Sequence, residues 1–357
     1  MKTYIKFLSL IFFKSFFYVT LIMLSLVFIL NMLTELEFFK EIDIGIDFTL
    51  LLSLLNSPSM VFEMFPFIFL ISTQLFFIKL FNNNELEVFK YSGLKNTSIL
   101  KIISVISLIT GILIVITFYN FSSNLKNFYL EKKSQYTSDE KYLAVITKNG
   151  LWIKDIIDEK IYIINSSKID NNFLINSFIT EFDNKFNVKR NIKSKRIDIS
   201  KKNWIIYDAT IYNNNNYEVK KTLNLNTNFD YKRIKSLYSN LSSLNIFQLF
   251  ELRNNYKRLN YSLTEVNLQL LKLLSYPLYL LLITIFSALI MFKIKRLNTT
   301  TIKISLGLFL SVIIYYINNF FLVMGGTERI SLILSVFTPL VILTLINSFM
   351  VYKINEK

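Results

Sequence analysis

Six long apolar stretches, with one polar insert between the third and the fourth, constrain this chain more than any short motif. The stretches are residues 7–33, 60–81, 99–121, 266–292, 302–323 and 330–351. Each holds about 20 residues or more, and at a rise of ~1.5 Å per residue a helix of that length crosses a hydrocarbon core of ~30 Å. Lys14 interrupts the first stretch, but a lysine that near a helix end snorkels to the headgroups at small cost. A secretory signal peptide is the competing reading of residues 1–33, with Lys2 and Lys6 as its charged region. The apolar run is too long for one, and Asn31-Met32-Leu33-Thr34 offers no small-x-small cleavage site.

Composition then removes whole classes of chemistry. The chain has no cysteine and no histidine, which excludes disulfides, thiol nucleophiles, imidazole bases and His/Cys metal sites. A net charge of +15 would point to nucleic acid in a soluble protein. Here Lys, Asn, Ile and Phe are all inflated together, as AT-rich coding produces, so the placement of the charge is more informative than its total.

That placement orients the spans, because lysine and arginine accumulate in cytoplasmic loops. Lys2, Lys6 and Lys14 flank the first span. Lys79, Lys90, Lys95 and Lys101 flank the loop after the second, Lys293, Lys295, Arg296 and Lys303 follow the fourth, and Lys353 and Lys357 close the chain. The opposite short loops carry Glu35, Glu37, Glu41, Asp43 and Asp47 against Lys40, then Glu328 beside Arg329. Both termini are expected inside and the insert outside, in three parts: residues 1–121, 122–264 and 265–357.

Within the insert, residues 142–229 alternate apolar and polar in short runs such as Leu151-Trp152-Ile153, Ile161-Tyr162-Ile163-Ile164 and Trp204-Ile205-Ile206-Tyr207. Turn clusters, including Lys148-Asn149-Gly150 and residues 213–216, separate them. The pattern predicts an antiparallel β domain, a sandwich or an open barrel. Residues 244–259 turn helical, with Leu244, Phe247, Leu249, Phe250 and Leu252 backed by Arg253, Lys257 and Arg258.

Catalytic chemistry is not written here. No phosphate-cradling glycine loop exists, and Asp139-Glu140 and Asp158-Glu159 sit beside turn signals, where solvated charge is the simpler reading. No nucleophile stands with a base, so no catalytic residue, metal ligand or cofactor is expected, and any ATP-driven step needs a second chain.

Two stretches stand out. Pro58 and Pro66 bracket the start of the second span, where proline is tolerated in a first turn. Beyond that span Asn84 is placed to cap a short helix with Glu85 and Glu87 in its first turn, Leu86, Val88 and Phe89 as its apolar face, and Gly93 to end it. Such a helix either rests on lipid or docks in a groove of a partner, and its leading acidic residues disfavour anionic lipid. The second stretch is Gly150-Leu151-Trp152 with Lys154-Asp155, by itself a turn and a strand.

Together these residues resemble the LptF/LptG permease family of the ATP-driven lipopolysaccharide exporter. Gly150-Leu151-Trp152 is closer to the LptG branch, and Glu85-Leu86 with Ser92-Gly93 looks like its coupling-helix signature. Tyr261, Glu265, Lys272 and Pro277, then Gly307, Tyr315-Tyr316 and Pro339, fall where such proteins carry comparable residues. The resemblance implies a membrane α-helical fold with an extracytoplasmic all-β jellyroll inserted between the third and fourth spans. It further implies an LptF-like permease as heterodimer partner, an LptB-like ATPase dimer below, and LptC- and LptA-like jellyroll proteins joined in a bridge for lipopolysaccharide. Coupling to the ATPase would fall to Glu85, Leu86, Glu87, Val88, Phe89 and Gly93.

The first and fifth spans of such a permease line the lipid cavity, so Phe16, Phe28, Phe309 and Tyr315 are the expected wall. Basic residues near the outer end of the first span are replaced here by Asn31, Thr34, Glu35 and Glu37. Lys40, Lys126, Lys132 and Lys133 are then the candidates for lipid phosphates. The LptF paralogue, an unrelated ABC permease and a membrane-anchored enzyme are the alternatives; six spans with an all-β insert weigh against the second, and the missing catalytic constellation against the third.

Overall fold

A computed structural model describes residues 3–40, 44–134, 136, 151–157, 160–170, 172–183, 186–213, 216–231, 234, 240–258, 262–294 and 299–355. Tyr142, Lys148-Asn149-Gly150, Asp139-Glu140, Asp158-Glu159, Tyr261, Lys295 and Arg296 lie outside the described residues. The chain divides into two compact units. One comprises Met1–Tyr129, Ser242–Leu249 and Thr264–Lys357, the other Leu130–Leu241 and Phe250–Leu263.

Six helices in the described residues are long and apolar enough to cross a membrane. They are α1 (Thr3–Phe38), α2 (Ile46–Asn82), a third that runs from α4 (Asn96–Leu113) through a π-helical segment (Ile114–Tyr119) into α5 (Asn120–Ser134), α7 (Thr264–Lys293), α8 (Thr300–Gly326) and α9 (Leu332–Asn355). A short α3 (Glu85–Tyr91) follows α2, and α6 (Ile246–Arg258) precedes α7, matching the helical texture expected at 244–259.

Because α2 begins at Ile46, Pro58 and Pro66 lie inside the helix rather than in its first turn. An interior proline has no N–H for the carbonyl four residues back, which for Pro66 is Phe62. The Tyr276 hydroxyl of α7 donates to that carbonyl at 2.5 Å, so the helix continues without a buried orphan acceptor. The π segment is tied similarly, with the Tyr119 hydroxyl donating to the Leu244 carbonyl at 2.9 Å.

Burial ranks the spans. In the apolar windows of α2 and α7, 72% of residues are buried, against 22% in α1 and 11% in α8. The first pair is the bundle's centre; the second leaves most of its apolar surface uncovered by this chain. Lipid is as apolar as leucine, so polar contacts and close approach hold the spans together. Ser287 donates to the Leu70 carbonyl at 2.9 Å, the Ser107 and Thr284 hydroxyls lie 2.8 Å apart, and Asn347 donates to the Leu282 carbonyl at 3.0 Å. Gly111 lets α4 approach Pro277, whose Cα would stand 3.1 Å from a Cβ at that position.

Among the described residues, the second unit holds one antiparallel sheet of six strands, β1 (Leu151–Ile157), β2 (Lys160–Asp170), β3 (Phe173–Phe182), β4 (Val188–Asp198), β5 (Asn203–Asn213) and β6 (Asn216–Asn226), paired in sequence order. Its register aligns Ile153, Ile164, Ile179, Ile192 and Ile211 across five strands, all buried. This ladder of β-branched pairs is the core of one sheet face. The strands are longer than the apolar runs suggested, because serines continue the buried face by bonding across it. Ser177 donates to Ser166 at 3.1 Å, and Ser194 to the Tyr207 carbonyl at 2.6 Å. The described strands thus form a meander; a second layer, expected of a sandwich, is not among the described residues.

Candidate functional site

The sequence after α2 folds into a compact corner. Asn84 occupies the position before α3 with φ 56°, a left-handed conformation that asparagine tolerates. Capping by its side chain, expected from the sequence, does not occur, because a capping side chain needs extended backbone at that residue to reach the free N–H groups. Instead the Asn83 amide donates to the Glu85 carboxylate at 3.2 Å. The end of α3 is as expected: Gly93 at φ 81° closes it, with its N–H on the Lys90 carbonyl and that of Leu94 on Phe89, both at 2.9 Å.

The expected apolar face of α3 divides in two. Leu86 is buried and Phe89 sets its ring edge-on to Phe7 of α1, centroids 6.0 Å apart. Val88 is 60% exposed and points away, together with Glu87 and Tyr91, the last 91% exposed. Glu85 is only half exposed, held by Asn83. Tyr91 was not singled out in the sequence, although its place one turn after Glu87 and a residue off Leu86's stripe marks it as outward-facing. The exposed side chains of α3 are therefore Glu87, Val88, Lys90 and Tyr91, an acid, an aliphatic, a base and an aromatic.

At the same end of the bundle, Gln74 of α2 is fully buried and donates to the Lys303 carbonyl of α8 at 3.0 Å. Its amide lies over Gly307. Lys303 is itself buried and holds its ammonium 5.1 Å from the centre of the Phe81 ring, near the end of α2.

The opposite end corrects the expected acidic rim. Glu35 is buried and accepts from the Tyr129 hydroxyl at 2.7 Å, while Asn31 is buried, donating to the Ser53 carbonyl and accepting from Asn56. A carboxylate and an amide on a mostly apolar helix are turned to partners within the bundle, so only Thr34 and Glu37 of that group are exposed. Of the candidate phosphate ligands, Lys40 is exposed, Lys126 and Lys132 are half-buried, and Lys133 is buried.

The proposed lipid wall also separates. Phe16 is buried against Phe65 and Phe69, at ring distances of 6.2 and 5.2 Å, and belongs to the packing of α1 on α2. Phe28 is half-buried, Phe309 is 68% exposed, and Tyr315 packs partly on Phe67. Behind Tyr315 is a cavity of about 60 Å³, lined by Glu63, Lys272, Tyr279, Asn318 and Asn319. Lys272 and Glu63 form an ion pair there at 3.3 Å.

None of these arrangements is a reaction centre among the described residues; they are a short helix with an exposed outer surface at one end of the bundle, and apolar surfaces on α1 and on α8 that this chain leaves largely uncovered. The sequence profile described as lipopolysaccharide export system permease LptF/LptG matches residues 8–353, which takes in all six spans and the sheet. No curated protein sequence matches the chain. On the extent of that match, the chain belongs to the LptF/LptG family of lipopolysaccharide export permeases, multi-pass proteins of the inner membrane.

Proposed function

We propose that the chain is the LptG-like half of a heterodimeric exporter, paired with an LptF-like permease above two LptB-like ATPase subunits. The LptG branch is favoured by Gly150-Leu151-Trp152. The observation that carries the reading is the uneven burial of the spans: α1 and α8 keep 22% and 11% of their apolar windows buried, so this chain by itself leaves the apolar surfaces of two spans for something else to cover. A partner permease and acyl chains together meet that need, since each buried CH₂ contributes about 0.8 kcal/mol. Phe28, Phe309 and Tyr315 belong to the wall, with Lys40 and Lys126 as contacts for lipid phosphates.

The lysines around α3, at positions 79, 90, 95 and 101, support a cytoplasmic position for it and for both termini, and an extracytoplasmic position for the β domain. In that orientation α3 offers Glu87, Val88 and Tyr91 to the ATPase, and ATP-driven closure squeezes lipopolysaccharide from the outer leaflet towards the β domain. The domain, as a jellyroll, passes it to LptC- and LptA-like proteins through its sheet edges, β1 and β6. The chain holds and moves lipid and the partner hydrolyses ATP. Purification of the complex from membranes, with mass spectrometry of the bound lipid, tests this. Lipopolysaccharide bound together with an ATPase subunit is expected; phospholipid alone, with no ATPase, contradicts it.

A further inference from the structure

α8 is the least buried span, yet its first turns are fastened to α2 by groups that a stability argument alone does not call for. The Gln74 side chain is fully buried and reaches the Lys303 carbonyl at 3.0 Å, while its own Oε1 has no hydrogen-bond partner among the described residues. Leaving an amide oxygen unbonded in apolar surroundings costs free energy that leucine, of similar volume, would avoid. The contact also requires glycine at 307, because a Cβ there would stand 1.6 Å from the Gln74 Nε2. Lys303 adds a second tie through the Phe81 ring at 5.1 Å, and Phe81 is one residue from the end of α2, after which the chain turns into α3.

We infer that Gln74 is a positioning residue that makes the foot of α8 move with the coupling end of α2, so that displacement of α3 is delivered to the fifth span. The inference rests on the proposed docking of α3 on an ATPase. Between Gln74 and α3 lies about two turns of uninterrupted helix, which transmits displacement as a rod. Beyond Gly307, α8 has few buried residues to resist that motion. A polar contact inside an apolar bundle has a defined geometry, whereas a leucine at the same place would slide along α8.

The test uses the assembled complex in proteoliposomes loaded with lipopolysaccharide, measuring ATP hydrolysis and lipid exported per ATP. In Gln74→Leu, ATPase recovery and hydrolysis are expected to stay near the parent, while lipid exported per ATP falls about tenfold, the scale of coupling carried by such a contact. Gly307→Ala, which pushes the amide aside, is expected to do the same. Unchanged export per ATP in Gln74→Leu overturns the inference. So does failure of that variant to assemble, which would make Gln74 a packing residue. Separately, α3 variants that leave ATPase association unchanged would refute the docking reading whatever Gln74 does.

Discussion

The Tyr276 hydroxyl donates to the Phe62 carbonyl at 2.5 Å, and that carbonyl is available because Pro66 has no N–H to give it. One helix thus repairs the hydrogen-bond deficit of another, and the two most buried spans are locked in register by it. The Tyr276 and Phe62 rings also stack, at 4.8 Å between centroids.

Tyr276→Phe keeps the ring and removes the donor. It is expected to destabilise the bundle by about 1–3 kcal/mol, the cost of a buried acceptor left without a partner. Pro66→Ala in the same background returns an intrahelical N–H to Phe62 and is expected to recover most of that loss. Thermal unfolding in detergent of the two single variants and the double variant measures both effects; additive losses would contradict the account.

The β domain has an acid-sensitive point. Glu181 is buried, with Lys160 at 3.0 Å and Arg190 at 2.5 Å. Burial alone raises a carboxyl pKa, but the hydrogen bonds and charges of Lys160 and Arg190 outweigh it and hold Glu181 below its ordinary value. A depressed folded pKa stabilises the fold above the ordinary carboxylate range and loses that contribution as pH falls below about 4. Both tryptophans, Trp152 and Trp204, lie in the sheet, so tryptophan fluorescence of the whole chain reports its melting. Glu181→Gln is expected to lower stability at neutral pH and to flatten the loss on acidification. An acid transition as steep as the parent's would rule this out.

On α3, Glu87→Ala and Tyr91→Ala are expected to reduce recovery of the ATPase on affinity purification more than Glu85→Ala does. Glu85 is half-buried, whereas Glu87 and Tyr91 are exposed. A charge-assisted contact contributes about 1.5–3 kcal/mol, enough for a loss of tenfold or more in association. Recovery equal to the parent's from all three would remove α3 from the interface.

The spans were legible in the sequence because length and apolarity decide whether a helix crosses a membrane, and the sheet was legible because residues such as Ile161 to Ile164 and Trp204 to Tyr207 alternate. What hydropathy hid was polar continuation: α2 starts at Ile46 through Asp47, Ser53 and Asn56, and the third span's helix runs on past Phe121 to Ser134. The faces of the helices were hidden too. A span that is apolar all round carries no contrast to separate Phe16, buried in the bundle, from Phe309, exposed on it. The meeting of Gln74 with Lys303, 229 residues apart, leaves no local trace at all.

In the proposed function, lipopolysaccharide passes along the apolar surfaces of α1 and α8 that this chain leaves uncovered. This is tested most directly by placing a photo-crosslinking phenylalanine at Phe309 of α8, with Leu345 of α9, 65% exposed, as the control position. In the assembled exporter, lipopolysaccharide adducts are expected at 309 and not at 345, and ATP should deplete them as lipid is expelled. Equal adducts at the two positions, or none at 309, would contradict the account.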